Sequence, residues 1–494
     1  MTDEARLGSI MYRATRKAAQ VEGLTRLSGG ASMESSRFDY AGQGYVLRRA
    51  PSAAVMEGRL FGHDVEATVV RAAVEAGVKA PVIVAEIEAR DHFGTGYVMR
   101  RVEAEVNPAV ILADPPSSLV HDVARELARI HSIKSSPERA LLGGLPGASR
   151  PASWGPAEPV EGAAGAGRDA ASGPSVSLRE PPPRSGEDWK SAIPTMDTAA
   201  ALEDLAARFE TYGGDRPIIA LAIKWCRDHL PVPAPLVLVH GDFRMGNLMV
   251  GADGLAAVLD WELVHWGDAH EDLAWGCVGA WQFGQIDKPA LGCADLETYF
   301  AAYEAEGGTP VDRARFRFWL IYRTLWWALG CLQMAEIWRS GADKGLERAV
   351  IGRRTSENEM DLLLLLEEEA PETQRLPIRL DLPPGARRQG EPSSAELLEA
   401  VRGWIDTDIK SKAQGRDKFL AAVAMNALGM LIREAENPVA VHDRVLADDI
   451  LAGRKSLATP GVLAHLRKTA LTKLANDVPK YAALGKAREN WISC

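Results

Sequence analysis

The sequence predicts an α+β protein in two lobes, a small antiparallel β lobe followed by a larger helical one, with an all-helical module appended at the C-terminus. Three observations carry that prediction. The first hundred or so residues alternate short apolar runs with Gly-containing turns, as antiparallel strands do. The text beyond them changes to apolar residues three and four apart, which is helical spacing. Two stretches rich in Pro and Gly then break the composition. The chain has 494 residues, 46% apolar and 25% charged, the balance of a globular protein with ample material for a core. Its formal net charge of −10 argues against a nucleic-acid partner, because a phosphate backbone is gripped mainly by surplus Lys and Arg.

In chain order, the N-terminal text MTDEARLGSIMYRATRKAAQ reads as an amphipathic helix and lacks the apolar core of a signal peptide. Residues 24–27, 35–40 and 45–49 are predicted strands separated by GGAS and AGQG turns. A helix follows, then VIVAEI and GYVMRRV as two more strands, which closes an N-terminal lobe over residues 1–102. Residues 103–370 form the helical lobe, interrupted at about 143–194 by Gly, Ala and Pro with too few large apolar residues to build a core. Within it, 296–304, 313–338 and 346–368 show helical periodicity. The longest apolar window, WLIYRTLWWALGCL, is too short for a bilayer and contains Arg323, so it reads as a core helix and no membrane partner is expected. Residues 371–392 read as a flexible linker, and a chain ending near Glu369 is expected to fold alone. The tail, 393–494, opens on a Ser393–Glu396 capping box and carries Leu397, Val401, Trp404 and Ile405 on one helical face. A second tail helix is marked by Phe419, Leu420, Val423, Ala427 and Leu431, and a third runs over 462–474. Five cysteines without a C-x-x-C suggest neither a disulfide framework nor a zinc site, and a reducing cytoplasm fits.

Chemistry gathers at LVLVHGDFRMGNLMVGADGLAAVLDWE, 236–262. Asp253-Gly254 is a tight-turn dipeptide between two apolar runs, so the segment reads as a hairpin. With the turn centred on that dipeptide, Asn247 falls opposite Asp260, and two hard oxygen donors reach the open end together, as a magnesium ion on phosphates requires. Asp242 stands five residues before Asn247, the spacing of the kinase catalytic loop, in which the acid handles the proton of the attacking hydroxyl. Arg244 offers fixed positive charge to a transferring phosphoryl group. His240 reads as a brace for the loop, Asp268 and Asp272 as caps and braces, and His131 as a core histidine.

HGDFRMGNLMV and VLDWELVHWGDAHEDLAW resemble the two central motifs of the aminoglycoside phosphotransferase and choline kinase-like family, over about residues 20 to 370. That resemblance implies the protein-kinase-like fold, ATP and Mg2+ as cofactors, Asp242 as catalytic base, and Asn247 and Asp260 as metal ligands. It further implies that LSGGASMES, with Gly29, Gly30 and Ser32, covers the nucleotide phosphates. Arg48 in YVLRRA stands where the family has a strand lysine, and Glu66 matches the helix glutamate that holds it. The strand containing Met99 matches the hinge that meets the adenine. A subgroup likeness to the kinase-like portion of acyl-CoA dehydrogenase fusion proteins suggests a hydroxyacyl thioester, or another small metabolite with a hydroxyl, as acceptor. The expectation is therefore a cytoplasmic ATP-dependent small-molecule kinase, with a second copy of the chain in a homodimer as a candidate partner. The competing reading is a catalytically silent nucleotide-binding or scaffold protein, favoured by Arg48 and the appended tail.

Overall fold

The computed structural model describes residues 2–27, 33–50, 56, 59–134, 189–343, 345–379, 394–439 and 442–492. Helix α1 (Asp3–Thr15) is capped by Thr2 and followed by strands β1 (Val21–Arg26), β2 (Glu34–Tyr40) and β3 (Gln43–Ala50). Helix α2 (His63–Glu75), β4 (Ile83–Glu86) and β5 (Thr95–Arg100) complete the first lobe. The five strands make one antiparallel sheet in the order β1-β2-β3-β5-β4. Alternation decides its faces: Phe38, Tyr40, Tyr45, Leu47 and Val98 point to one side and bury with Leu7, Ile10 and Met11 of α1. The strands predicted from alternation are all present within a few residues of their expected ends.

The second lobe is helical around a hairpin, as the periodicity predicts. It contains α3 (Leu119–Ser132), α4 (Thr198–Thr211), α5 (Pro217–Asp228), the short pair β6 (Val237–Val239) with β9 (His265–Gly267), and the hairpin β7 (Leu248–Gly251) with β8 (Gly254–Val258). Then come α6 (Ala269–Trp275), α7 (Leu296–Ala305) and the long α8 (Arg313–Ser340). The apolar window at 319–332 lies inside α8 with Trp319, Tyr322, Leu325 and Leu329 fully buried, and no described helix is long and apolar enough to cross a membrane. The helix expected over 346–368 is two, α9 (Leu346–Arg353) and α10 (Thr355–Leu366). Just before the break, a Cβ at Gly352 would come within 2.7 Å of Ala335, so α9 meets α8 at a close approach there.

The hairpin differs from its expected register. Neither Ala252 nor Asp253 has positive φ, so the mirror-image turn that would centre on Asp253-Gly254 is not formed. Gly254 instead takes φ +98° directly after the turn, closing a Gly251–Gly254 pair, and an irregularity further along pairs Leu248 with Val258. Asn247 therefore faces Leu259, whose N–H donates to the Asn247 carbonyl at 2.8 Å, and Asp260 lies one residue beyond. Asp260 itself has φ +65°, which turns the chain out of the strand at that acid.

The tail comprises α11 (Ser394–Trp404), α12 (Gly415–Glu436), α13 (Arg444–Leu451), α14 (Val462–Asp477) and α15 (Ala482–Trp491). Ser393, of the expected capping box, lies outside the described residues, as does most of the expected linker. The last three helices pack into the helical lobe: Leu446, Ile450, Leu466, Leu474 and Trp491 bury in the same cluster as Leu325 and Leu363. Ion pairs cross the same boundary, Lys473 with Glu359 at 2.6 Å and Arg467 with Glu367 at 2.7 Å. The α11 stripe behaves differently, with Leu397, Val401 and Trp404 between 47% and 56% exposed.

Candidate active site

The HGD loop leaves β6 and is fixed from behind before it presents any side chain forward. Asp272 on α6 is fully buried and accepts hydrogen bonds from His240 N–H at 2.6 Å and Gly241 N–H at 2.9 Å, while His131 lies 3.2 Å from the same carboxylate. Burial alone raises the Asp272 carboxyl, but its donors and the two histidines hold it below the usual range. Gly241 adopts φ +81°, and a Cβ there would come within 2.4 Å of the Leu263 carbonyl, so only glycine fits. Its own carbonyl accepts from Arg323 of α8 at 2.6 Å, and Arg323 pairs with Glu271 at 3.0 Å and lies over the Trp275 ring. Asp268 caps α6 by accepting from His270 N–H.

On that base Asp242 is held by three donors. Its Oδ1 accepts from Arg244 Nε at 2.9 Å and Trp275 Nε1 at 2.6 Å, and its Oδ2 accepts from Asn247 Nδ2 at 2.6 Å. A carboxylate offers about four lone-pair positions, so among the described residues one on Oδ2 is left for a further donor. Asn247 spends its amide nitrogen on Asp242, at the side chain and the backbone carbonyl, so its amide oxygen is the group it has left to offer as an acceptor. Arg244 also stacks over Trp281 at 4.4 Å, which fixes its charge beside Asp242.

Across the cleft, Arg48 on β3 meets three carboxylates: Asp260 at 2.7 Å, Glu262 at 2.7 Å and Glu66 of α2 at 3.3 Å. Tyr97 donates its hydroxyl, at 2.8 Å, to the same Glu66 oxygen that Arg48 approaches. Arg59 pairs with Glu262 at 2.7 Å. Burial pulls the Glu66 and Glu262 carboxyls up, whereas at Asp260 the attraction of Arg48, then Arg244, overcomes burial and lowers it. The Arg48–Glu66 pairing implied by the resemblance is thus present, shared with two further acids. Met99 lies inside the sheet, facing Val46 and Ile83, and the chain leaves β5 after Arg100. Gly29, Gly30 and Ser32 lie outside the described residues.

Glu262, Arg59, Trp275 and His63 belong to this site and were not singled out by sequence. Glu262 stands two residues past Asp260 in DWE, which was signal enough; Trp275 and His63 meet the site only through the packing of α6 and α2. His63 is 4% exposed with Nδ1 3.1 Å from the Thr95 hydroxyl, and burial, then Arg48 and Arg59, lower it from 6.5 to about 4. A histidine depressed in the fold binds its proton more readily when unfolded, so stability is lost as pH falls from about 6.5 through about 4. Urea unfolding at several pH values is expected to show a steeper loss in the native chain than in His63→Asn. Identical slopes would mean that His63 is already protonated in the fold.

The same cleft was expected to hold magnesium. Among the described residues no three His, Cys, Asp or Glu side chains group as a self-sufficient metal site. Asn247 and Asp260 fit the other case, a cation that draws part of its coordination from substrate phosphates.

A five-stranded lobe over a helical lobe, with an Asp–Asn–Asp cleft between them, defines a two-lobed kinase-like protein. The model of the APH phosphotransferase enzyme family matches residues 23–319, well over half of the chain, and the chain belongs to that family. A solved Ralstonia eutropha structure assigned as an aminoglycoside phosphotransferase superposes with TM-score 0.50 at 19% identity, covering 74% of this chain and 98% of that one, which establishes the shared fold. Mouse acyl-CoA dehydrogenase family member 10 is 24% identical over 330 residues, 60% of this chain and 26% of that protein. Arabidopsis thaliana probable acyl-CoA dehydrogenase IBR3 is 24% identical over 201 residues, 37% of this chain and 24% of its own. The chain spans about a quarter of the length of these two curated relatives.

Proposed function

We propose that this phosphotransferase is an ATP-dependent, magnesium-requiring small-molecule kinase of the cytoplasm, moving the γ-phosphoryl group to a substrate hydroxyl. The observation that carries the reading is the fixing of the Asp242 carboxylate by Arg244, Trp275 and Asn247, which among the described residues leaves one acceptor position on Oδ2. An acid so fixed is oriented to receive one proton, that of the attacking alcohol. Arg244, held at Asp242 and over Trp281, offsets charge that develops on the phosphoryl oxygens. Asn247 and Asp260 hold the magnesium, which when bound neutralises phosphate charge, and Glu262 is a further oxygen donor beside Asp260. Arg48, kept in place by Glu66, binds the nucleotide phosphates, with Gly29, Gly30 and Ser32 covering them and the segment at Met99 meeting the base.

For the acceptor we favour a hydroxyacyl thioester, on the similarity to two proteins whose names carry acyl-CoA dehydrogenase. The test is incubation with Mg·ATP and a panel of hydroxyl compounds, hydroxyacyl thioesters included, with mass spectrometry of the products. A phosphorylated thioester supports the reading. Nucleotide binding with no phosphorylated alcohol in any mixture favours the silent reading, for which the engagement of Arg48 by Asp260 and Glu262 is the specific observation.

A further inference from the structure

The turn that carries Trp281 forms one wall of a separate cavity of about 330 Å³. Its other walls come from α8, α10 and the tail helix α15, with Leu320, Leu364, Leu365 and Ile286 making apolar sides. Most polar groups on these walls are already satisfied. The Thr324 hydroxyl donates to the Leu320 carbonyl at 2.7 Å, Gln282 donates to the Cys277 carbonyl at 2.9 Å, and Glu367 is paired with Arg467. Lys486 and Asn490 lie exposed on α15.

Asp361 is the exception. It is 8% exposed, its Oδ2 accepts the Tyr481 hydroxyl at 2.5 Å, and no ion pair reaches it among the described residues. Glu357, one turn earlier on α10, is occupied by Arg354 at 2.9 Å, and the facing turn sets Gly279 against the Asp361 carboxylate. Burial pushes the Asp361 carboxyl up to about 7, with Tyr481 pulling it down and Glu357 adding to the rise. A buried acid beside a cavity, with no ion pair among the described residues, avoids the cost of a bare charge either by keeping its proton or by meeting a cation that a ligand brings.

We infer that this cavity binds a small primary amine with an apolar body, its ammonium on Asp361 and its body along Leu320, Leu364 and Leu365. An ammonium supplies both a hydrogen-bond donor and the missing charge, whereas a carboxylate would meet like charge. The leucine walls select an apolar body by removing it from water. Since α15 lies outside the segment matched to the family, the site gives the tail a role that the phosphotransferase lobe lacks by itself. Binding at Asp361 draws off its proton, because the cation favours the ionised acid.

Calorimetric titration of the full chain, without nucleotide, reads the site directly. Octylamine, octanol and octanoate are compared near pH 7 in two buffers of different ionisation heat. Octylamine is expected to bind with release of a proton, octanol at least about tenfold more weakly, and octanoate not at all. Asp361→Asn, nearly the same shape, is expected to lose about tenfold or more in amine affinity along with the proton release. Similar affinity for all three ligands, or unchanged amine affinity in the variant, overturns the assignment. The comparison of the three ligands needs no variant, so a misfolded Asp361→Asn leaves the test intact.

Discussion

Asp242→Asn is expected to reduce turnover by about 10² to 10⁴, the usual weight of a positioned acid or base, while leaving the fold standing. The geometry says why the fold survives and the chemistry does not. The new amide can keep its oxygen toward Arg244 and Trp275, which hold Oδ1 at 2.9 and 2.6 Å. Its nitrogen then points where Oδ2 was, at the Asn247 amide nitrogen that now donates there at 2.6 Å. Two donors face each other, and Asn247 relieves the conflict by turning its amide over. The variant thus loses its proton acceptor and also withdraws the Asn247 oxygen from the metal. Steady-state turnover alongside thermal unfolding checks both parts. Loss of folding would make Asp242 a structural residue, and retained turnover would remove it from the proton path.

The second large effect concerns the tail. A chain ending at Glu369 is expected to be insoluble or to lack a cooperative unfolding transition, contrary to what the linker composition predicts. Removing α13 to α15 uncovers the surface that Leu446, Leu463, Leu466, Leu474 and Trp491 cover, all at 7% exposure or less. At about 1.5 to 3 kcal/mol for each large apolar side chain, the loss is on the order of 10 kcal/mol. That is comparable with the roughly 5 to 15 kcal/mol by which native proteins are stable. Truncation also strands Glu359, whose partner Lys473 is lost, leaving Arg216 at 3.2 Å as its remaining ion pair. Circular dichroism and gel filtration of the truncated chain decide the matter, and a folded monomer with intact nucleotide affinity would show that the two parts are independent.

The legible parts of this molecule were those written in local periodicity. Alternation located all five strands of the first lobe, and the HGD, Asn and second Asp spacing located one wall of the cleft. Register was not legible, because the choice between a mirror-image turn and a turn followed by left-handed Gly254 is set by backbone angles that Asp-Gly permits either way. Nor was the docking of the tail. Leu397, Val401 and Trp404 have as regular a stripe as Leu463, Leu466 and Leu474, yet the first set is largely exposed and the second buried. Periodicity shows that a helix has an apolar face and does not show what covers it. The Arg48 cluster was half legible: the pairing with Glu66 follows from the resemblance, while Asp260 and Glu262 join it only when the lobes meet.

In the proposed reading, nucleotide phosphates and magnesium meet at Asp260 and Asn247, within reach of Asp242. Calorimetric titration of a non-hydrolysable ATP analogue, with and without Mg2+, into the native chain and Asp260→Asn tests it most directly. Mg2+ is expected to tighten binding to the native chain by about tenfold or more, and this gain is expected to be lost in the variant while metal-free affinity changes little, since Arg48 keeps Glu66 and Glu262. An equal magnesium gain in both chains would place the metal elsewhere and contradict the assignment of the cleft.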